Sequence, residues 1–110
     1  MNQDIWVEKF SREALPIILR RFHPQRVLLF GSRATGLARE DSDLDVIIVS
    51  NDFIGIKFVN RTTMLYKAVK FPKHVDYLCY PPDEFERLQK TSSSVREAVQ
   101  SAQVLSIQSV

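Results

Sequence analysis

Apolar residues recur at spacings of three and four along the first 22 residues, which predicts an amphipathic helix ending at His23-Pro24. Pro16 lies inside this segment and should kink or split the helix, because proline removes a backbone donor and crowds the preceding turn. Two short apolar segments follow, at 27–30 and 43–49, and they predict strands. The β-branched Val-Ile-Ile-Val of the second segment favours a central strand that is buried on both faces.

The second half of the chain continues the alternation of helices and strands. A helix is expected from about residue 60 to 70, a third strand at Val75–Tyr80, a helix over about 83–90, and a last, weaker helix over about 95–102. The order α-β-β-α-β-α predicts the α/β (α+β) class, with a small mixed β-sheet and helices packed on it. The whole chain, residues 1–110, is expected to form a single domain.

Composition narrows the class of protein. Hydrophobic residues make up 45% and charged residues 25% of the 110 residues, which argues against intrinsic disorder. The longest uninterrupted apolar run, 46–49, is far shorter than the roughly 20 residues that span a bilayer, and no signal peptide is recognisable. A single cysteine, Cys79, cannot form an internal disulfide, so we expect a small buried residue in a cytoplasmic protein. The net charge of +2 is too small to favour nucleic acid as a partner.

The charge is unevenly distributed along the chain. Residues 31–50 contain four acidic and two basic residues, whereas residues 52–74 contain five basic residues and one acidic residue. An acidic centre beside a basic segment suits a metal site next to a polyphosphate. Charged faces exposed to solvent would produce the same pattern.

Two carboxylates stand at the start of the second predicted strand. Side chains two apart on a strand point to the same face, so Asp43 and Asp45 should project together, roughly 6.6 Å apart along the backbone. Neighbouring carboxylates repel each other unless a cation lies between them, and Mg²⁺ prefers such hard oxygen ligands. The alternative is a pair of acids at a solvated strand end.

A Gly-Ser pair directly follows the first predicted strand. Gly31 lacks a Cβ and would let a phosphate approach the backbone, where the hydroxyl of Ser32 can donate to it. Arg33 adds a cation suited to phosphate, although a surface ion pair with Glu40 or Asp41 is the alternative. The segment is not a Walker loop, because the second glycine and the Lys-Ser/Thr pair are missing.

Asp76 is the third candidate carboxylate. It should share one face of the third strand with His74, Leu78 and Tyr80. If this strand lies beside the second strand, Asp76 completes a three-carboxylate cluster, and His74 could line the same cleft. The alternative is an acid at an exposed sheet edge.

This pattern resembles the nucleotidyltransferase superfamily related to DNA polymerase beta. Its elements are a Gly-Ser pair after a strand, ten intervening residues, Asp-x-Asp at the start of the next strand, and a lone Asp on a third. Residues 31–36, Gly-Ser-Arg-Ala-Thr-Gly, and residues 42–46, Ser-Asp-Leu-Asp-Val, closely resemble the minimal nucleotidyltransferases of prokaryotes. The resemblance spans residues 27–80 and implies a fold like the palm of DNA polymerase beta.

The resemblance also implies a mechanism. Two Mg²⁺ ions would clamp the attacking and leaving oxygens while a nucleoside monophosphate, AMP from ATP, passes to a hydroxyl acceptor. By this resemblance, the catalytic residues and metal ligands would be Asp43, Asp45 and Asp76. The triphosphate would be held by Gly31, Ser32 and Arg33.

Minimal members of the superfamily commonly act as antitoxins of HEPN toxins, in some cases by transferring AMP to a tyrosine of the toxin. The resemblance therefore implies a HEPN-type protein partner. An alternative is a non-catalytic antitoxin that binds nucleotide and neutralises its partner by covering it. Transfer to a small molecule such as an aminoglycoside is a third option, and a homo-oligomer is left open.

Overall fold

A mixed four-stranded sheet forms the centre of the protein in the computed structural model, which describes residues 4–108. The strands are β1 (Arg26–Phe30), β2 (Leu44–Val49), β3 (Val75–Tyr80) and β4 (Gln103–Ile107). Their order in the sheet is β3-β2-β1-β4. β1 is antiparallel to both β2 and β4, whereas β2 and β3 are parallel. The expectation of a mixed sheet with helices packed on it is confirmed.

The N-terminal helical segment is split into two helices by a wider turn. α1 covers Ile5–Lys9, a π-helical turn covers Phe10–Ala14, and α2 covers Leu15–Phe22. Pro16 lies in the first turn of α2, directly after the π-helical turn, so the predicted irregularity is present. The helix ends at His23, which adopts the left-handed conformation with φ of 49°.

The remaining helices alternate with the strands. They are α3 (Ser32–Thr35), α4 (Phe58–Ala68), α5 (Pro82–Thr91) and α6 (Ser93–Gln100), and a short 3-10 turn covers Asn51–Phe53. α3 is a single helical turn directly after β1. α5 begins with two acidic residues in its first turn, where the helix dipole favours negative charge.

Each face of the sheet packs against a different layer of helices. On one face, α1, α2 and α4 form a core with the strands that includes Phe10, Ile18, Leu29, Val46 and Leu65. On the other face, α5 and α6 contribute to a smaller core that includes Leu28, Ile47, Val49, Phe85 and Val95. Alternate residues of β2 enter the two cores, which confirms that β2 is a central strand. Cys79 is fully buried, as expected.

The strand β4 corrects the prediction for the C-terminal region. The sequence predicted a sheet of three strands and a last helix over about 95–102. In the structure α6 stops at Gln100, and Gln103–Ile107 pair with β1. This short segment becomes a strand because β1, more than 70 residues earlier in the chain, offers it a free edge. No helix within residues 4–108 is long and apolar enough to cross a bilayer.

Candidate active site

Four ionisable side chains meet where β2 and β3 begin. Asp45 of β2 and Asp76 of β3 are directly paired in the parallel register, so their side chains are neighbours on one face of the sheet. Asp43 lies one residue before β2. Together with His74 and Asp76 it forms a group whose potential ligand atoms all lie within 4.8 Å of one another. The structure therefore brings the three predicted carboxylates together.

Partial burial and neighbouring charges raise the pKa of the Asp45 carboxyl. Its pKa is raised from 3.8 to about 6, first by partial burial and then by the charge of Asp76 and a hydrogen bond with it. The charge of Asp43 raises the pKa further, and only His74 acts in the opposite direction. Burial and the two neighbouring carboxylates thus both favour the protonated form of Asp45.

His74 is a member of the site that the sequence analysis weighed only as a residue lining the cleft. Its Nε2 lies 2.8 Å from Oδ1 of Asp76, and its ring stacks on Tyr66 with the ring centroids 6.1 Å apart. The sequence feature that indicates its place in the site is its position two residues before Asp76, because such side chains point to the same side of an extended chain. His74 can orient Asp76 or act as a further ligand.

Gly31 brings the end of β1 against the carboxylates. The register between β1 and β2 pairs Phe30 with Asp45, so Gly31 follows directly beside the acidic cluster. Its φ of +75° is one that favours glycine, and a Cβ there would collide with Oδ2 of Asp45. Ser32, partly exposed, opens α3 at the same place. Gly31 therefore lies directly against Asp45, and Ser32 follows it at the start of α3.

Arg33 points into the protein and holds the loop that follows α3. It is only 5% exposed, and its Nη1 donates to Oδ2 of Asp4 at 2.6 Å. Its Nε donates to the carbonyl oxygen of Ser42, and its Nη2 donates to those of Arg39 and Glu40. The alternative of a surface ion pair with the acidic side chains of this loop is wrong, because the ionic partner is Asp4. These contacts favour a structural role for Arg33 over contact with a phosphate.

The donor set of the cluster fits a divalent cation. Asp43, Asp76 and His74 place potential ligand atoms within 4.8 Å of one another, and Asp45, paired with Asp76 in the sheet, adds a third carboxylate beside them. Mg²⁺ prefers such oxygen ligands and commonly bridges carboxylates to phosphates. The side chains whose ligand atoms come together are those of Asp43, His74 and Asp76, and Asp45 lies next to Asp76 on the neighbouring strand.

Comparison with known proteins agrees with this geometry. Residues 11–105 match the nucleotidyltransferase domain family. No curated protein matches the chain.

Two solved structures share the fold. A candidate nucleotidyltransferase from Sulfolobus solfataricus is 24% identical with a TM-score of 0.57, and the alignment covers 76% of this chain and 80% of that one. A toxin-antitoxin structure with AMP-PNP is 19% identical with a TM-score of 0.59, covering 89% of this chain and 73% of that one. With the acidic cluster and the Gly-Ser pair inside a match that spans most of its length, the chain belongs to the nucleotidyltransferase domain family.

Proposed function

We propose that this protein is a Mg²⁺-dependent nucleotidyltransferase that transfers AMP from ATP to a hydroxyl group of a partner protein. The observation that carries the proposal is that Asp76 lies between Asp43 and Asp45, its close neighbours, while Gly31 lies against Asp45. Membership of the nucleotidyltransferase domain family supports the reaction type. The acidic cluster supports a divalent metal.

The chain's own residues have distinct parts in the reaction. Gly31 and Ser32 hold the triphosphate, and the acceptor oxygen attacks the α-phosphorus. The bond from this phosphorus to the oxygen that bridges to the β-phosphate breaks, and pyrophosphate leaves. Asp76, oriented by His74, takes the proton of the acceptor hydroxyl and releases it to water. Mg²⁺ ions bound by Asp43, Asp45 and Asp76 would supply positive charge to the attacking and leaving oxygens.

The partner in this proposal is a toxin. One of the two structures that share the fold is described as a toxin-antitoxin with AMP-PNP, which supports both an adenine nucleotide and a protein partner. We extend this to a cytoplasmic HEPN-type toxin as partner, a tyrosine of that toxin as acceptor, and an antitoxin role for this chain.

A labelling experiment tests the proposal. The protein is incubated with ATP labelled at the α-phosphate, Mg²⁺ and the product of the neighbouring reading frame. We expect label on that product and none with Asp43→Asn. The matched control is Asp52→Asn, which removes the same charge beyond the opposite end of β2 and should leave transfer intact.

Two results would contradict parts of the proposal. Absence of label with Mg²⁺ and with Mn²⁺, while the protein is folded and binds its partner, would overturn the enzymatic function. If Asp43→Asn neutralises the toxin as well as the wild type does, the antitoxin acts by covering its partner and not by transfer.

A further inference from the structure

The outer edge of β3 is covered by side chains of α4. Alternate carbonyl oxygens of the strand accept hydrogen bonds from this helix, in the pairs Arg61–Cys79, Thr62–Tyr77 and Tyr66–Val75. An edge strand that is covered in this way is protected from pairing with another chain. The Tyr66–Val75 pair lies at the start of β3, next to Asp76, so this part of the covering also reaches the candidate active site.

Tyr66 contacts residues on both sides of Asp76 in the chain. Its hydroxyl donates to the carbonyl oxygen of Val75 at 2.6 Å, and its ring lies edge-on to that of Tyr77, with the ring centroids 5.5 Å apart. The same ring stacks on His74, with an angle of 29° between the ring planes. A single side chain of α4 thereby fixes the chain before and after Asp76.

The imidazole of His74 has room to move. Its side chain is 54% exposed, and together with Tyr66 it borders a cavity of about 200 Å³ between α4, the loop after it and β3. Several rotamers are open to a side chain in such surroundings, and stacking on Tyr66 favours one of them. In that position its Nε2 lies 2.8 Å from Oδ1 of Asp76, so a fixed imidazole also fixes this carboxylate.

We infer that Tyr66 is a positioning residue of the active site. Its ring holds His74, and His74 in turn holds Asp76 in the orientation that receives the proton of the acceptor hydroxyl. In this role Tyr66 acts through His74 and not on the reacting atoms. The inference rests on the proposed function and adds a residue of α4 to its machinery.

A double-mutant cycle of Tyr66→Leu and His74→Ala tests this role. Leucine is a strong helix former, so α4 should remain intact. We expect Tyr66→Leu to lower kcat for the transfer of AMP about 10-fold with the KM for ATP unchanged, because Asp76 acts on the acceptor and not on the nucleotide. In the His74→Ala background, Tyr66→Leu should have no further effect, since the residue through which it acts is missing.

The affinity of the full chain for Mn²⁺, measured by electron paramagnetic resonance, provides a readout that does not require transfer. A misoriented Asp76 is a poorer ligand, so Tyr66→Leu should bind Mn²⁺ about 10-fold more weakly, again only when His74 is present. Tyr66→Phe keeps the ring and should match the wild type in both measurements. The matched control is Thr62→Val, which removes the neighbouring hydrogen bond from α4 to β3 and should also match the wild type.

Three results would overturn the positioning role. They are wild-type values in Tyr66→Leu, an equal loss in Thr62→Val, and a loss from Tyr66→Leu that is the same with and without His74. A wild type that binds Mn²⁺ but transfers no AMP would instead overturn the proposed function. The Mn²⁺ affinities of the cycle would then still decide whether Tyr66 holds Asp76 through His74.

Discussion

Buried polar groups of two kinds lie in this small protein, and they differ in how completely they are partnered. The guanidinium groups of Arg33 and Arg61 are surrounded by oxygen atoms, whereas the carboxyl of Asp45 and the hydroxyl of Tyr77 are not balanced by their surroundings within residues 4–108. Fully partnered groups are explained by the fold alone. A polar group that is wholly or partly buried without compensation is costly to the fold. Asp45 is partly buried in the candidate active site, and the buried Tyr77 follows Asp76 on β3.

Arg61 illustrates the partnered kind. It is 6% exposed on α4, and it binds both carboxylate oxygens of Glu84 on α5, at 2.9 and 3.3 Å. It also donates to the carbonyl oxygens of Ile56 and Cys79. One side chain thereby links α4, α5 and the end of β3.

The largest effect is expected from removing such a partnered group. Arg61→Met should lower the free energy of unfolding by about 3–5 kcal/mol, because it leaves Glu84 and two carbonyl oxygens without their partner. Urea denaturation followed by circular dichroism measures this. Arg87→Met, an exposed position on α5, is the matched control and should change stability by less than about 0.5 kcal/mol. Equal losses in the two variants would contradict the structural role of Arg61.

A second variant tests the contact between the Gly-Ser pair and the acidic cluster. Gly31→Ala introduces a Cβ that meets Oδ2 of Asp45, in addition to strain from the positive φ. Gly36→Ala has a similar φ of +82° and no atom within 4 Å of the new Cβ, but its ψ of 9° is one that alanine tolerates better than the ψ of −160° at Gly31. It therefore measures a milder backbone strain without a collision. We expect Gly36→Ala to cost about 1–2 kcal/mol in unfolding free energy and Gly31→Ala to cost clearly more. Comparable losses would mean that neither the collision with Asp45 nor the more strained backbone at Gly31 adds to the cost.

Removing an uncompensated group should raise the stability of the folded protein and not lower it. Because the pKa of Asp45 is higher in the folded protein than its usual value, the folded state binds this proton more tightly than the unfolded state does. The metal-free protein should therefore lose stability as the pH rises from 3.8 through about 6. Asp45→Asn removes this loss, so its melting temperature should exceed that of the wild type at pH 7.5, and the difference should shrink towards pH 4.5.

Mg²⁺ provides the control for the pH experiment. At pH 7.5 it should raise the melting temperature of the wild type more than that of Asp45→Asn, since the wild type has the extra ligand charge. Asp52→Asn should behave like the wild type, with no rise in melting temperature at pH 7.5 and with the full response to Mg²⁺. A difference between wild type and Asp45→Asn that is independent of pH would rule out the raised pKa as its cause.

The smallest effect is expected for the other uncompensated group. Tyr77→Phe removes a hydroxyl that has no partner within the described chain, so stability should be unchanged or higher by up to about 1 kcal/mol. Tyr66→Phe removes a hydroxyl that donates to Val75 and should cost about 1 kcal/mol. Thermal and urea unfolding of both variants check the contrast. Similar losses in the two would show that the Tyr77 hydroxyl is satisfied after all.

The sequence predicted the parts of this protein that depend on neighbours in the chain. The bounds of β3 and the central position of β2 followed from local apolar patterns, as did the break in the first helix at Pro16. The grouping of Asp43 with Asp45 followed from their spacing. The contacts of Arg33 could not be predicted in this way, because nothing in the neighbouring sequence indicates that it binds Asp4, 29 residues away.

What the sequence determined by itself was the set of strands β1 to β3 and the residues of the acidic cluster, because alternation and spacing are properties of a short stretch of chain. Tertiary structure alone decided the fourth strand, the inward direction of Arg33, and the cavity beside His74. Each of these features depends on contacts between segments that are far apart in the chain. A short stretch of sequence contains no information about such contacts. The same long-range packing isolates the Tyr77 hydroxyl and raises the pKa of Asp45, since burial is set by the whole fold.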